Sequence, residues 1–297
     1  MQYGGLRKSK LHRVERNSYL DHANYYIKKH NLLFLNIPKV ASSTLWSIAA
    51  QLEDGFDTTK RSQVRDYKLA AIQSSQLHKY PDVRKVAFVR NPFDRIVSTY
   101  KNKVGSNKES FLARNKLDKG ISFEDFIDFV CRVEDHNADR HIRSQYTFLY
   151  DYQGRLLVDY LGRLETFEAD IRQVERTFQL PKLVVPHWNK TAAVDYQQYF
   201  TDAQRRQLEN RYALDLQLLG YSFEQGLDKP LELNQLRELS DASKLEIMNY
   251  KTKKLLRVVQ YKEKYDALPK GIKGAILRRY HKYFTDYFDM DKNETNG

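Results

Sequence analysis

The chain has 297 residues, 41% of them hydrophobic and 30% charged, with 50 Lys and Arg against 38 Asp and Glu for a net charge of +12. That is enough apolar chain for one large core with or without a helical addition. The basic surplus favours anionic partners (phosphates, sulfates, nucleic acid, an acidic membrane face), although a merely soluble basic surface accounts for it equally well. A single cysteine, Cys131, excludes an internal disulfide and a zinc site built from thiolates, and no stretch approaches the roughly 18 apolar residues of a membrane span.

One cysteine fits a reducing compartment, and the basic first 17 residues have no apolar run behind them to make a signal peptide. A cytoplasmic location is therefore expected; a lumenal fragment of an anchored enzyme would carry the same features. Residues 1–29 read as an N-terminal extension. Residues 32–37, LLFLNI, read as a short buried strand ended by Pro38. Leu45, Ile48, Ala49 and Leu52 then repeat at helical spacing behind Ser42, Ser43 and Thr44, which suit an N-cap. Residues 67–80 read as a helix or an irregular linker. KVAFV at 85–89 is a second strand, with Asn91 as cap, Pro92 in the first turn and a stripe of Phe93, Ile96, Val97 and Tyr100 behind it. A helix over 122–131, a strand within 155–165, a helix after Thr166, an extended KLVV at 182–185 and a Thr201/Gln204 capping box for a helix to Leu219 follow. Alternating strands and helices predict an α/β, mostly parallel central sheet flanked by helices in three layers. From 231 the chain turns helical and charge-laced, and residues 251–282 carry eleven Lys and Arg against Glu263 and Asp266. Residues 30–230 are thus expected to be the main domain and 231–297 a basic helical C-terminal appendage, suited to gripping an anionic polymer, lying on an anionic membrane, or docking on its own domain.

Residues 38–44 lie between strand end and helix start, where backbone N–H groups lack partners. Lys39 adds a mobile charge, Ser42, Ser43 and Thr44 add hydroxyls, and small Ala41 and Ser42 leave room for a tetrahedral anion. The segment has the order of a phosphate loop without its glycines. A helix cap beside a surface lysine is the bland alternative. Arg90 ends the KVAFV strand at the edge where open α/β sheets bind ligands. Ser98 lies about 140° from Phe93 around the helix, away from the buried stripe. An arginine fork and a hydroxyl suit a second phosphate; pairing of Arg90 with Asp94 is the alternative.

IPKVASSTL and VAFVRNPFDRIVSTY together resemble the two donor motifs of the sulfotransferases, specifically the carbohydrate branch, and DRHIRSQYTFL, VDYLGRLETFEAD and the stretch from PHWNKT to YALDLQLLGYSF resemble later blocks of it. The likeness covers about residues 30–223, and Ile142 stands where relatives often have tryptophan. It implies a P-loop-like fold and 3′-phosphoadenosine 5′-phosphosulfate (PAPS) as donor. Lys39, Val40, Ala41, Ser42, Ser43 and Thr44 would hold the 5′-phosphosulfate, and Arg90 and Ser98 the 3′-phosphate. No metal is required and no nucleic-acid partner is expected; the acceptor would be a hydroxyl on a glycan, anionic glycans included. For the base that deprotonates it, His141 is the first choice, His78 the second and a carboxylate such as Glu165 the third. Arg140 and Arg143 are candidates for an acidic acceptor, and Trp188, Asn189 and Lys190 for a loop over the donor. A nucleotide kinase, which would need the missing glycine-rich motif, and a non-catalytic binder of an anionic polymer are the competing readings.

Overall fold

The computed structural model describes residues 22–55, 69–186, 195–224 and 231–266. Among them, one sheet contains β1 (Ala23–Ile27), β2 (Leu32–Phe34), β3 (Ala70–Gln73), β4 (Arg84–Val89) and β5 (Tyr160–Arg163), in the spatial order β3-β1-β2-β4-β5. β2, β4 and β5 are parallel neighbours, with Leu32 opposite Arg84 and Val86 opposite Tyr160. β1 is antiparallel to both β2 and β3. The sheet is therefore mixed, but the carboxyl ends of β2, β4 and β5 share one edge.

The central strands are short apolar runs because both their faces are covered. Leu32, Leu33 and Phe34, like Val86 to Val89, are all fully buried although successive side chains point to opposite faces. Gly162 of β5 pairs with Phe88, and a Cβ at that position would come within 2.6 Å of the Phe88 ring, so only glycine lets β5 close on β4 here.

The helices are α1 (Ser42–Asp54), α2 (Pro92–Thr99), α3 (Glu109–Asn115), α4 (Phe123–Arg132), α5 (Tyr146–Leu149), α6 (Phe167–Phe178), α7 (Asp202–Arg211), α8 (Ala213–Leu219), α9 (Leu233–Arg237) and α10 (Asp241–Asp266). A π-helical turn, Tyr100–Val104, continues α2. One core lies around the sheet. A second gathers Phe93, Ile96, Val104, Phe111, Phe126, Ile127, Ile142, Leu208 and Tyr212 beside it. Ile142 thus packs inward in that second core.

Several elements depart from the sequence reading. Ala23–Ile27, placed in an extension before the domain, is a strand inside the sheet, and Ala70–Gln73, read as helix or linker, is its edge. Both are weakly patterned: ANYYI buries only Asn24 and Ile27, and AAIQ only Ile72. Asn24, a polar residue at the buried face, has partners on both sides: Nδ2 donates to the Ile72 carbonyl at 3.1 Å and Oδ1 accepts from the Asn36 N–H at 3.0 Å. The helix expected to run to Leu219 breaks at Tyr212 into α7 and α8. Thr166 precedes α6, but its hydroxyl donates to Asp170 and does not cap the helix backbone. Residues 231–266 are helical, yet their near part belongs to the domain: Leu236, Leu239, Ile247 and Tyr250 are members of the main core, and the Tyr150 hydroxyl donates to the Leu236 carbonyl at 2.9 Å. Lys251 is buried and donates to the Thr147 carbonyl at 3.0 Å, and Lys253 pairs with Glu134 at 2.8 Å, so these two cations of the basic stretch are engaged within the protein. Among the described residues no helix is long and apolar enough to cross a membrane.

Candidate active site

The loop from Leu35 to Ala41 leaves the carboxyl end of β2 and enters α1. Lys39 and Ala41 adopt left-handed backbone conformations, at φ of 71° and 59°. Each such non-glycine residue costs about 1–3 kcal/mol and persists only where its surroundings hold it. Four contacts hold the loop, from β1, α1, α2 and the residue that follows β4. Asn36 is bonded to Asn24 of β1, the Ser42 hydroxyl donates to the Ile37 carbonyl at 3.0 Å, Arg95 Nε donates to the Pro38 carbonyl at 3.1 Å, and Arg90 Nη1 donates to the Lys39 carbonyl at 3.2 Å. The residue preceding α1 is Ala41, and no side chain caps the helix. Of the serines expected to cap it, Ser42 instead braces the loop with its hydroxyl. The N–H groups of the first turn are therefore left to the space above the sheet edge. Burial, with the charges of Arg90, Lys103 and Arg95 adding to it, lowers the Lys39 ammonium to about 8.

Arg90 follows β4 and is clamped at its backbone by Gln145, whose side chain accepts from Arg90 N at 2.9 Å and donates to Arg90 O at 2.8 Å. Its guanidinium forms a bidentate pair with Asp94 (2.8 and 2.7 Å) as well as the bond to Lys39. Three of its five N–H donors are so engaged among the described residues, leaving two. Ser98, half-buried, lies one turn beyond Asp94 on the same side of α2.

Arg95, fully buried, joins this loop to the next. Besides Pro38, it donates to the carbonyls of Arg143 (2.7 Å) and Arg140 (3.0 Å). That second loop carries His141, whose backbone carbonyl accepts from the Thr99 hydroxyl at 3.1 Å. His141 Nδ1 lies 2.6 Å from Asp139 Oδ1, and Asp139 is also paired with Arg114. Burial pulls the imidazole down to about 4 against the opposing hydrogen bond and charge of Asp139. Asp139 is itself buried, which would raise its carboxyl, but the hydrogen bond from His141 and the neighbouring positive charges hold it well below the usual carboxylate range. A neutral imidazole donating Nδ1–H to an ionised carboxylate leaves Nε2 as a proton acceptor.

The sulfotransferase family model matches residues 24–222. The chain belongs to the sulfotransferase family. Among curated proteins, this sulfotransferase-family chain is 25% identical over 234 residues to carbohydrate sulfotransferase 10 of Gallus gallus, covering 65% of this chain and 64% of the relative. It is 23% identical over 233 residues to carbohydrate sulfotransferase 10 of Xenopus laevis, covering 65% of each, and 23% identical over 225 residues to carbohydrate sulfotransferase 14 of Homo sapiens, covering 65% and 58%. The chain thus spans less than two thirds of the length of these relatives. No solved structure matches it.

Within the sulfotransferase-family region the other nominated residues are dispersed. His78 is exposed on the 3₁₀ turn Ser74–Lys79 that follows β3, two strand positions from the Lys39 loop. Glu165 is committed to the scaffold: it accepts from the Asn91 N–H at 2.7 Å and the Tyr221 hydroxyl at 3.0 Å. Arg143, a candidate for an acidic acceptor, is instead buried in the 139–145 loop, donates to the Ala138 carbonyl and sits over the Phe148 ring. Arg140 is half-buried beside it. Trp188, Asn189 and Lys190 lie outside the described residues. Asp139, Arg114, Arg95 and Lys103 were not nominated from the sequence. The D-x-H spacing of Asp139 and His141 was the available signal for the first; Arg95, off the apolar stripe of its helix, carries no such signal. Among the described residues no cluster of three or more His, Cys, Asp or Glu side chains is placed to hold a metal.

Proposed function

We propose that the protein transfers the sulfuryl group of PAPS to a hydroxyl of a carbohydrate acceptor by in-line displacement, on a P-loop-like arrangement of β2, the Lys39 loop and α1. The observation that carries this reading is the 3.2 Å bond from Arg90 to the Lys39 carbonyl, which joins the two anion-seeking motifs at the sheet edge. On this reading a nucleotide with phosphates at two ends spans both motifs. The uncapped helix start and Lys39 would meet one end; Arg90, with two donors unused among the described residues, and Ser98 would meet the other. The relatives named as carbohydrate sulfotransferases support a glycan as acceptor.

Residues 39–44 hold the phosphosulfate through N–H groups, and Lys39 neutralises the charge that grows on the bridging oxygen as it parts from sulfur. His141 Nε2 takes the proton of the acceptor hydroxyl as its oxygen bonds to sulfur, and Asp139 stabilises the resulting imidazolium. The sulfur–oxygen bond to the 5′-phosphate breaks and 3′-phosphoadenosine 5′-phosphate (PAP) leaves. Arg90 and Ser98 fix the nucleotide so that this line is kept. What favours His141 among the three bases is the buried Asp139 carboxylate that holds its Nδ1.

Calorimetry with Arg90→Ala tests the reading. Its affinity for PAP is expected to fall at least about tenfold, and far more than its affinity for adenosine 5′-phosphosulfate, which lacks the 3′-phosphate and loses only the bracing of the Lys39 loop. Equal losses for both ligands would remove Arg90 from the nucleotide site.

A further inference from the structure

The reading above leaves Lys103 without a role, and its placement is specific. Arg95, Thr99 and Lys103 succeed one another at intervals of four along one face of α2 and the π-helical turn. The first two are pinned by bonds that fix what this face looks at. Arg95 reaches the Pro38 carbonyl on one side and the Arg140 and Arg143 carbonyls on the other, and Thr99 reaches the His141 carbonyl. The row therefore runs along the cleft between the donor loop and the His141 loop, and Lys103 is its next member. The π turn that carries it is closed by the bond from Gly105 N–H to the Tyr100 carbonyl (2.8 Å), and the Lys103 carbonyl is held by the Lys108 N–H (2.9 Å). Such turns cost helix regularity and recur at functional sites. Val104, the next residue, is buried in the second core, which anchors the turn. The Lys103 side chain is half-buried, and among the described residues no carboxylate lies within ion-pair distance of it.

We propose that Lys103 is a further catalytic residue, whose ammonium grips the non-bridging oxygens of the sulfuryl group between Lys39 and His141. Resting on the sulfotransferase reading, this assigns the two lysines different tasks: Lys39 meets the oxygen that leaves with the nucleotide, and Lys103 meets the group that moves. The electrostatics agree with such a position. The charge of Lys103 lowers the Lys39 ammonium and the His141 imidazole, and Lys103 itself is lowered by burial despite the opposing pull of Asp139. A cation at that point stabilises the negative charge spread over the oxygens in flight.

The test compares two ligands that differ only by the sulfuryl group. Titration calorimetry of the full chain measures PAPS and PAP on the native protein, Lys103→Met and Lys103→Arg, with thermal melts to confirm folding. Loss of one charge-assisted hydrogen bond, roughly 1.5–3 kcal/mol, predicts that Lys103→Met binds PAPS at least about tenfold more weakly while PAP affinity stays within about twofold. Lys103→Arg should restore most of the PAPS affinity. Parallel weakening of PAPS and PAP would mean that Lys103 acts only through the general field or the fold, and unchanged PAPS affinity would remove it from the site; either overturns the proposal. Failure of the native protein to bind PAP and PAPS would instead overturn the sulfotransferase reading, and this proposal with it.

Discussion

In the reaction proposed above, two side chains with displaced proton affinities set the working range. On that proposal His141 must be neutral to accept a proton, and burial brings it to about 4; Lys39 must be charged to meet the leaving oxygen, and burial brings it to about 8. Activity therefore rises with pH through the His141 value and falls through that of Lys39, giving a bell in kcat/KM with limbs near those two values in the free enzyme. An acid limb well above that value would show that His141 is not the base. In the donor complex the bound anion favours the charged lysine, so the alkaline limb of kcat should lie above that of kcat/KM. His141 was legible as a lone histidine in a polar stretch. Its partner was not, because a carboxylate two residues away is close to a histidine in any chain, and only the turn of 139–142 brings Asp139 Oδ1 onto both the His141 N–H and Nδ1.

The element that organises the site is α2. Its Asp94–Ser98 side accompanies Arg90, and its Arg95–Thr99 side ties the Lys39 loop to the His141 loop. The apolar stripe of Phe93, Ile96 and Val97 was readable from the sequence, since helical spacing leaves little choice about which face is buried. The burial of Arg95 was not readable: periodicity assigns an arginine to the wet side, and only the convergence of three backbone carbonyls compensates its desolvation. Arg95→Met would leave these three carbonyls without that donor, at a cost of about 3 kcal/mol or more. For a domain of this size, that corresponds to a fall of roughly 6–12 °C in Tm, measurable by calorimetric melting. PAP affinity should fall with it, because the left-handed conformation at Lys39 depends on the same clamp. A melt unchanged from the native protein would show that the loop is held by its other contacts alone.

For the molecule as a whole, the segment beyond residue 231 is part of the folded unit. Leu236, Leu239, Ile247 and Tyr250 close the main core, and the Tyr146 and Tyr250 rings meet edge to face at 6.1 Å. A chain ending at residue 230 should therefore expose the apolar surface beneath α9 and α10, losing its cooperative melt or aggregating; a soluble, cooperatively melting 1–230 fragment with unchanged Tm would refute this. By itself the sequence determined the strand–loop–helix units around Lys39 and Arg90, the α/β class and the family likeness, because these rest on local apolar periodicity, capping residues and short motifs. The tertiary structure decided that β1 and β3 complete the sheet, that a glycine-free loop can be held in left-handed geometry, that Arg95 is buried and that α10 belongs to the core. Each of those depends at least in part on partners far along the chain, as β3 on β1 and Arg95 on the carbonyls of Pro38, Arg140 and Arg143, and no local pattern encodes the free energy of a contact whose other half lies elsewhere in the chain.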